Sequence, residues 1–257
     1  MSSYFELRKN IALAILLGSQ DIKGRYRRSV IGPFWLTISM SILISCIGII
    51  FGQMFQTPDN TYIVFLSAGI IFWNFFTGVL NEGCIAFINS EKIIRQLPIP
   101  LFVHIFRLIW RNLLVLIHNI LIFPMILVFS DIDIGLEAFL ALLGLLLVSI
   151  NLAWTSMLLA LICTRYRDLP QVIASLLQVS FYLTPIIWLP SMLSERLGQS
   201  LYFFNPFFHF LEIIRSPLMG QTPDPSSWVF SAATGFLGCL FTFLIFKRLH
   251  GRVVYWL

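Results

Sequence analysis

The chain has 257 residues, of which 58% are hydrophobic and only 11% charged. A soluble domain carries about a quarter charged residues, so this composition excludes one and predicts a single transmembrane domain over 1–257 with no separate globular unit. The net charge of +5 does not point to nucleic acid, because the basic residues flank apolar runs instead of forming one continuous polar face.

Residues 1–33 form an interfacial region. Arg8-Lys9 precede a run, Ile11 to Leu17, that is too short to span and is followed by no small-x-small cleavage pattern. Leu7, Ile11, Ala14, Ile15 and Gly18 fall on one face, which predicts a helix lying in the membrane interface. Next comes Asp21-Ile-Lys-Gly-Arg-Tyr-Arg-Arg-Ser-Val-Ile-Gly-Pro-Phe-Trp35, with Lys23, Arg25, Arg27 and Arg28 within six residues and no charge from Phe34 to Phe55. Each such cation contributes about 1 kcal/mol near anionic headgroups, and Tyr26 and Trp35 suit the headgroup layer. Gly32-Pro33 breaks the backbone and starts a new helix. An ordinary basic flank of a membrane span accounts for the same pattern.

A span of the hydrocarbon core needs about 20 apolar residues. Six stretches qualify: 34–55, 62–82, 105–129, 136–163, 169–190 and 228–247. The first five occupy 34–190, an outer segment covers 191–227, and the last span with its tail covers 228–257. Span three contains Arg107, Arg111 and His118, which share a helical face and predict a polar stripe toward the bundle interior or a partner subunit; snorkelling to the interface is the plainer account of Arg107. Span five holds Pro170, Pro185 and Pro190 and is expected to be kinked or flared at its outer end. Fifteen of the 17 lysines and arginines lie on one side, which places both termini in the cytoplasm.

Two connections are too long for turns. In 83–104, Ile85, Ile88, Lys92 and Arg95 repeat helically and Pro98 and Pro100 end the pattern. That predicts a short amphipathic helix on the cytoplasmic surface, either an anchor or a docking surface. In 191–227, Leu201-Tyr-Phe-Phe-Asn-Pro-Phe-Phe-His-Phe-Leu-Glu-Ile-Ile-Arg-Ser-Pro217 is too apolar for a free loop in water. Asn205-Pro206 opens a helix and Pro217 closes it, predicting short helices that dip back into the outer leaflet or cap the bundle.

Several chemistries lack their residues. There is no Gly-Lys dipeptide, hence no phosphate-binding loop of the Walker type, and no Gly-x-Ser-x-Gly. Cys46, Cys84, Cys163 and Cys239 are scattered and read as packing residues; the four histidines do not pair at metal-ligand spacing and read as interfacial or satisfied core groups. No catalytic or metal-binding residue is assigned. Every acid lies in a loop or at a helix end, Glu82 being nearest a span interior, which disfavours an ion-coupled carrier.

The stretch from Asp21 to Trp35 resembles the opening signature of ABC-2 type permeases that export polysaccharide, best matched by the O-antigen exporter branch. The similarity continues in Ser90-Glu-Lys-Ile-Ile-Arg-Gln-Leu-Pro-Ile-Pro100, Arg165-Tyr-Arg-Asp-Leu169, Tyr182-Leu-Thr-Pro-Ile-Ile187 and Asn205-Pro206. The resemblance implies an all-α integral membrane fold: six transmembrane helices, an N-terminal interfacial helix, a cytoplasmic coupling helix and short re-entrant outer gate helices. It also implies a homodimer in the bacterial inner membrane with two copies of a separate ABC ATPase, so that ATP and Mg belong to that partner and this chain holds no cofactor. The substrate would be polysaccharide on undecaprenyl diphosphate.

Site residues follow as expectations. Arg25, Arg27 and Arg28 meet the lipid diphosphate, since arginine matches phosphate oxygens with a planar fork. Ser90, Glu91, Lys92 and Arg95 couple to the ATPase. Phe181, Tyr182, Trp188, Tyr202 and Phe203, with Phe204, offer weak sliding contacts in the outer third of the path, although an ordinary aromatic belt has the same composition. Capsule or teichoic-acid-like polymer is the alternative cargo. A membrane enzyme acting on lipid-linked sugar would need a paired acid or metal cluster, and the acids are scattered.

Overall fold

The computed structural model describes residues 2–27, 29, 31–32, 34–55, 61–130, 132, 135–192 and 203–257. Its elements are α1 (Ser2–Tyr26), α2 (Phe34–Phe55), α3 (Thr61–Cys84), α4 (Ala86–Asn89), α5 (Glu91–Gln96), α6 (Leu101–Ile120), α7 (Ile122–Leu127), α8 (Ala138–Arg165), α9 (Leu169–Leu183), a 3-10 turn at Pro190–Met192, α10 (Pro206–Leu218), α11 (Pro225–Leu249), a 3-10 turn at His250–Arg252 and α12 (Val253–Trp256). Among the described residues the fold is all-helical.

The central element is α3. Val64, Leu66, Ala68, Phe76 and Val79 on several of its faces are fully buried, because α2, α6, α8, α9 and α10 all pack against it. The outer helices instead leave apolar flanks uncovered, among them Ile49 and Ile50 of α2, Leu146 of α8 and Phe236 of α11. An exposed apolar flank on a helix of spanning length is a lipid-facing surface. Between membrane helices small residues permit close approach. A Cβ on Gly83 of α3 would sit 2.8 Å from Ser156 of α8, and one on Gly238 of α11 would overlap the Trp154 indole of α8.

Five described helices are long and apolar enough to cross a membrane: Phe34–Phe55, Thr61–Cys84, Leu101–Leu127, Ala138–Arg165 and Pro225–Trp256. The expected span over 105–129 begins earlier, at Leu101, and is interrupted at Leu121. Pro124 has no N–H to return to the carbonyl of Ile120, so the helix restarts as α7. The expected fifth span is helical only from Leu169 to Leu183, 15 residues, a rise of about 22 Å against a hydrocarbon core of about 30 Å. Thr184 (φ −93°, ψ 136°) is extended, as the residue before a proline is pushed to be, and Pro185 opens a bend that runs through Trp188.

The predicted interfacial helix is present but continues to Tyr26, taking in half of the basic stretch. Its buried seam against α6 is Ala14, Gly18 and Ile22, while Leu7, Ile11 and Ile15 remain exposed. The seam is narrow because a Cβ on Gly18 would lie 2.8 Å from the Arg107 carbonyl oxygen. Ile11 and Ile15 overhang an apolar groove of about 450 Å³ between α1, α6, α8 and α11.

Candidate functional site

Two polar constructions stand out in this apolar body. The first joins the C-terminal ends of α1 and α3 to the N-terminal half of α6. Arg107 forks onto Asp21, with Nε donating to Oδ2 at 2.7 Å and Nη2 to Oδ1 at 2.6 Å. One turn on, Arg111 donates from Nη1 to Asp21 Oδ2 at 3.2 Å and from Nη2 to Glu82 Oε2 at 2.6 Å. Asn112 Nδ2 donates to the same Glu82 oxygen at 2.5 Å, and Arg25 Nη2 stands 3.8 Å from Glu82 Oε1. Trp110 Nε1 donates to Ser19 Oγ at 3.0 Å, a second tie between α1 and α6. Burial would raise the Asp21 carboxyl, but the hydrogen bonds and charges of Arg107 and Arg111 outweigh it and hold the group below its ordinary value. Three arginines meet two carboxylates, so the cluster has one positive charge in excess.

The second construction supports the broken backbone after α9. Thr184, Pro185 and Ile186 are buried, and non-helical backbone at membrane depth needs protein partners. They are supplied by three residues from two elements, α3 and α10 with its cap. Arg215 of α10, 2% exposed, donates from Nη1 to the Pro185 carbonyl at 2.7 Å. Tyr62 of α3 donates to the Ile187 carbonyl at 2.8 Å. Asn205 Nδ2 donates to Thr184 Oγ1 at 2.9 Å while its Oδ1 caps α10 by accepting from Phe207 N and Phe208 N. Arg215 also lies 3.9 Å above the Phe65 ring centroid and 3.6 Å from Glu212, so its charge is compensated on each side. The bend passes close to α3 where Gly69 has no side chain: a Cβ there would be 3.3 Å from the Ile186 carbonyl oxygen.

The sequence-predicted residues distribute between these two places. Arg107 and Arg111, expected to face the bundle interior or a partner subunit, both turn to acids of this same chain on α1 and α3. His118 stands apart from them, with Nδ1 2.7 Å from the Leu114 carbonyl and its ring edge-on to Phe34. Arg25 leans on Glu82 and Arg27 is exposed; Arg28 lies outside the described residues. On the short loop helices, Phe87 of α4 is fully buried and anchors the segment, Ser90 is buried, and Lys92 and Arg95 of α5 are exposed, Arg95 pairing with Glu91 at 3.0 Å. Phe181 and Tyr182 line a cavity of about 360 Å³ between α2, α3 and α9, shared with Trp73, Asn74 and Thr77. Trp188 Nε1 donates to the Tyr182 carbonyl at 3.0 Å. Phe203 is exposed beside Phe204 and outside that cavity, and Tyr202 lies outside the described residues.

Sequence reading missed Asp21, Glu82 and Asn112 as partners, counted Arg215 only as an outer cation, and missed Trp73 altogether. Trp73 holds the ring cluster together, with Phe181 at 5.7 Å and Phe207 at 5.1 Å. A cation directly after the largely apolar run Phe207 to Ile214 was the available signal for Arg215. The histidines include one exception to the expected satisfied core group: both ring nitrogens of His104 are buried without a partner.

The amino-acid sequence matches known proteins over most of its length. The ABC-2 type transporter family matches residues 13–219. The chain belongs to that family. The permease is therefore the membrane-embedded part of a transporter and not an enzyme. It is 22% identical over 244 residues to an O-antigen export system permease protein RfbA of Klebsiella pneumoniae, covering 93% of each chain. It is 23% identical over 199 residues to the protein of the same name in Myxococcus xanthus, covering 76% of this chain and 75% of that one. The family match takes in both polar constructions of the permease, from Asp21 to Arg215.

Proposed function

We propose that this permease is the membrane-spanning subunit of an ATP-driven exporter that moves undecaprenyl-diphosphate-linked polysaccharide, with lipopolysaccharide O-antigen as its cargo. The observation that carries the reading is the alignment with O-antigen export permeases over 93% of both chains. The permease works as a homodimer in the bacterial inner membrane with both termini cytoplasmic, and two copies of a separate ABC ATPase bind the ATP and Mg. Copurifying the permease with the ATPase encoded beside it, and identifying the lipid retained, tests this directly. A complex that retains no lipid-linked glycan, and whose ATP turnover no such glycan stimulates, would refute it.

Arg25, Arg27 and Arg28 bind the diphosphate at the inner mouth, where Arg107 and Arg111 neutralise Asp21 and Glu82 and leave Arg25 as the cation in excess. Charge-assisted hydrogen bonds contribute about 1.5–3 kcal/mol each at most. Changing all three arginines to glutamine should raise the lipid concentration needed to stimulate ATP turnover by about tenfold or more and leave basal turnover nearly intact. Because these cations also set orientation, the termini of the variant must first be shown to remain cytoplasmic.

Glu91, Lys92 and Arg95 contact the ATPase, and Ser90, buried at the start of α5, fixes the position of that helix. The Glu91–Arg95 pair is solvent-exposed and contributes well under about 1 kcal/mol to the fold, so the charges are free for a partner. Reversing Lys92 and Arg95 to glutamate should abolish ATPase copurification and export while the permease stays in the membrane. Survival of both would make α5 a surface anchor. At the outer end, Phe181, Tyr182, Trp188, Tyr202 and Phe203 close the path in the resting state by excluding water.

A further inference from the structure

Between the cytoplasmic ends of α3 and α6, beneath α4, lies a polar cavity of about 70 Å³ lined by Glu82, Asn89, Ser90, His104, Arg107 and Arg111. Neither ring nitrogen of His104 has a hydrogen-bond partner, and that residue is only 2% exposed. The Nε of Arg111 is likewise buried and unpartnered. Buried polar groups are nearly always satisfied by protein, water or a ligand, so two such groups beside one polar cavity indicate an occupant.

The donors decide what it is. Arg107 and Arg111 contribute two guanidiniums, Arg111 with a spare N–H; Ser90 adds a hydroxyl and Asn89 an amide. Glu82 is the one acid in the lining, and its carboxylate is already engaged by Arg111 and Asn112. His104 stands in the first turn of α6, whose N-terminal dipole adds positive potential at the same end. The space is about twice the volume a water molecule takes, roughly 30 Å³, enough for one small tetrahedral anion. A donor-rich lining whose one acid is already engaged favours the anion over two waters.

We infer that this cavity is a binding site for a phosphate-class oxyanion, held by His104, the Nε of Arg111 and the Ser90 hydroxyl. The ligand joins the start of α6 to the corner that carries α5, so its presence stiffens that corner. The chemistry has two sources, free inorganic phosphate and the headgroup of an anionic lipid. The site goes beyond the export reading and its test needs neither ATPase nor glycan.

The full-length permease, purified in detergent, is titrated with inorganic phosphate, binding being followed by phosphorus NMR and by the thermal unfolding midpoint. In parallel it is placed in vesicles of phosphatidylcholine with and without phosphatidic acid. Saturable stabilisation by inorganic phosphate identifies the free anion; stabilisation by phosphatidic acid alone identifies the headgroup. His104→Leu should weaken the responding arm about tenfold or more, and His104→Gln, which keeps a donor and an acceptor, should largely retain it. Should the leucine variant not fold, Ser90→Ala carries the same comparison. No response in either arm, or a folded His104→Leu or Ser90→Ala that binds as tightly as the parent, means that the cavity holds only water, and the site is overturned.

Discussion

Arg215→Leu is expected to destabilise the permease by about 3–5 kcal/mol, among the largest effects available to a single substitution. The guanidinium is nearly inaccessible, and its removal strands the buried Pro185 carbonyl and leaves the Glu212 carboxylate with only the Ser216 hydroxyl. Leucine preserves apolar bulk over Phe65, so the loss reports the polar contacts and not an empty space. The thermal midpoint of the purified chain should fall by about 10 °C. Arg215→Lys should recover only part of this, because a point charge cannot serve the carbonyl and the carboxylate with a planar fork. Function gives a second reading. A cysteine at Tyr182 should react faster with a membrane-impermeant thiol reagent in the Arg215→Leu background than in the parent. Unchanged melting together with unchanged labelling would show that the bend after α9 holds its place without Arg215.

The second large effect is expected at the cluster of Asp21, Glu82, Arg107 and Arg111. Arg111→Leu leaves Glu82 facing only Asn112 and the distant Arg25, and leaves Asp21 with one arginine instead of two. Breaking a largely buried pair costs about 3–5 kcal/mol; these side chains are about one-fifth exposed, which places the loss near the lower end. The double change Arg111→Leu with Glu82→Leu should cost less than the sum of the single changes, with a coupling of about 1–3 kcal/mol in a double-mutant cycle. Strict additivity would show that the pair does not hold α3 to α6. The cluster also predicts an acid limit. Asp21 is held below its ordinary value of about 4, so its contribution is complete above that value and is lost as the pH falls through the lower native one. Asp21→Asn should flatten this part of the stability profile.

The same contrast shows what a sequence reader sees. Span positions were legible because apolar runs of sufficient length have few alternatives: Phe34–Phe55 was anticipated to the residue, and α3, α8 and α11 to within three at each end. Arg107 and Arg111 were legible as a stripe, because a period of 3.6 puts them on one face. Their partners were not. Asp21 is 86 residues from Arg107 and sits in a stretch whose neighbouring charges are all positive, and nothing in one-dimensional spacing says that α1 folds back along α6. The fifth span was read as longer than its helix because Pro185-Ile-Ile-Trp-Leu is as apolar as a helix would be. Hydropathy measures transfer to hydrocarbon and is blind to the backbone; the prolines warned of a kink, while the length of the bend depends on Tyr62, Asn205 and Arg215 reaching it. Arg215 was counted among the outer cations for orientation, a use that ignores depth.

The short α9 has a consequence for the surrounding bilayer. Its exterior includes Val172, Leu176, Val179 and Leu183, all left uncovered by the rest of the chain, and wherever lipid meets it this apolar band ends roughly 8 Å short of the thickness that acyl chains present. Lipids along that flank must thin or tilt to cover it, a deformation costing a fraction of a kcal/mol per ångström of mismatch. The flanks of α8 and α11, built from 28 and 25 residues, impose no such thinning. One side of the subunit thus sits in a dimple while the other meets a flat membrane. The acyl-chain length of the host lipid thereby acts on the bend after α9: shorter chains relieve the dimple, and longer ones press on the Thr184–Trp188 segment.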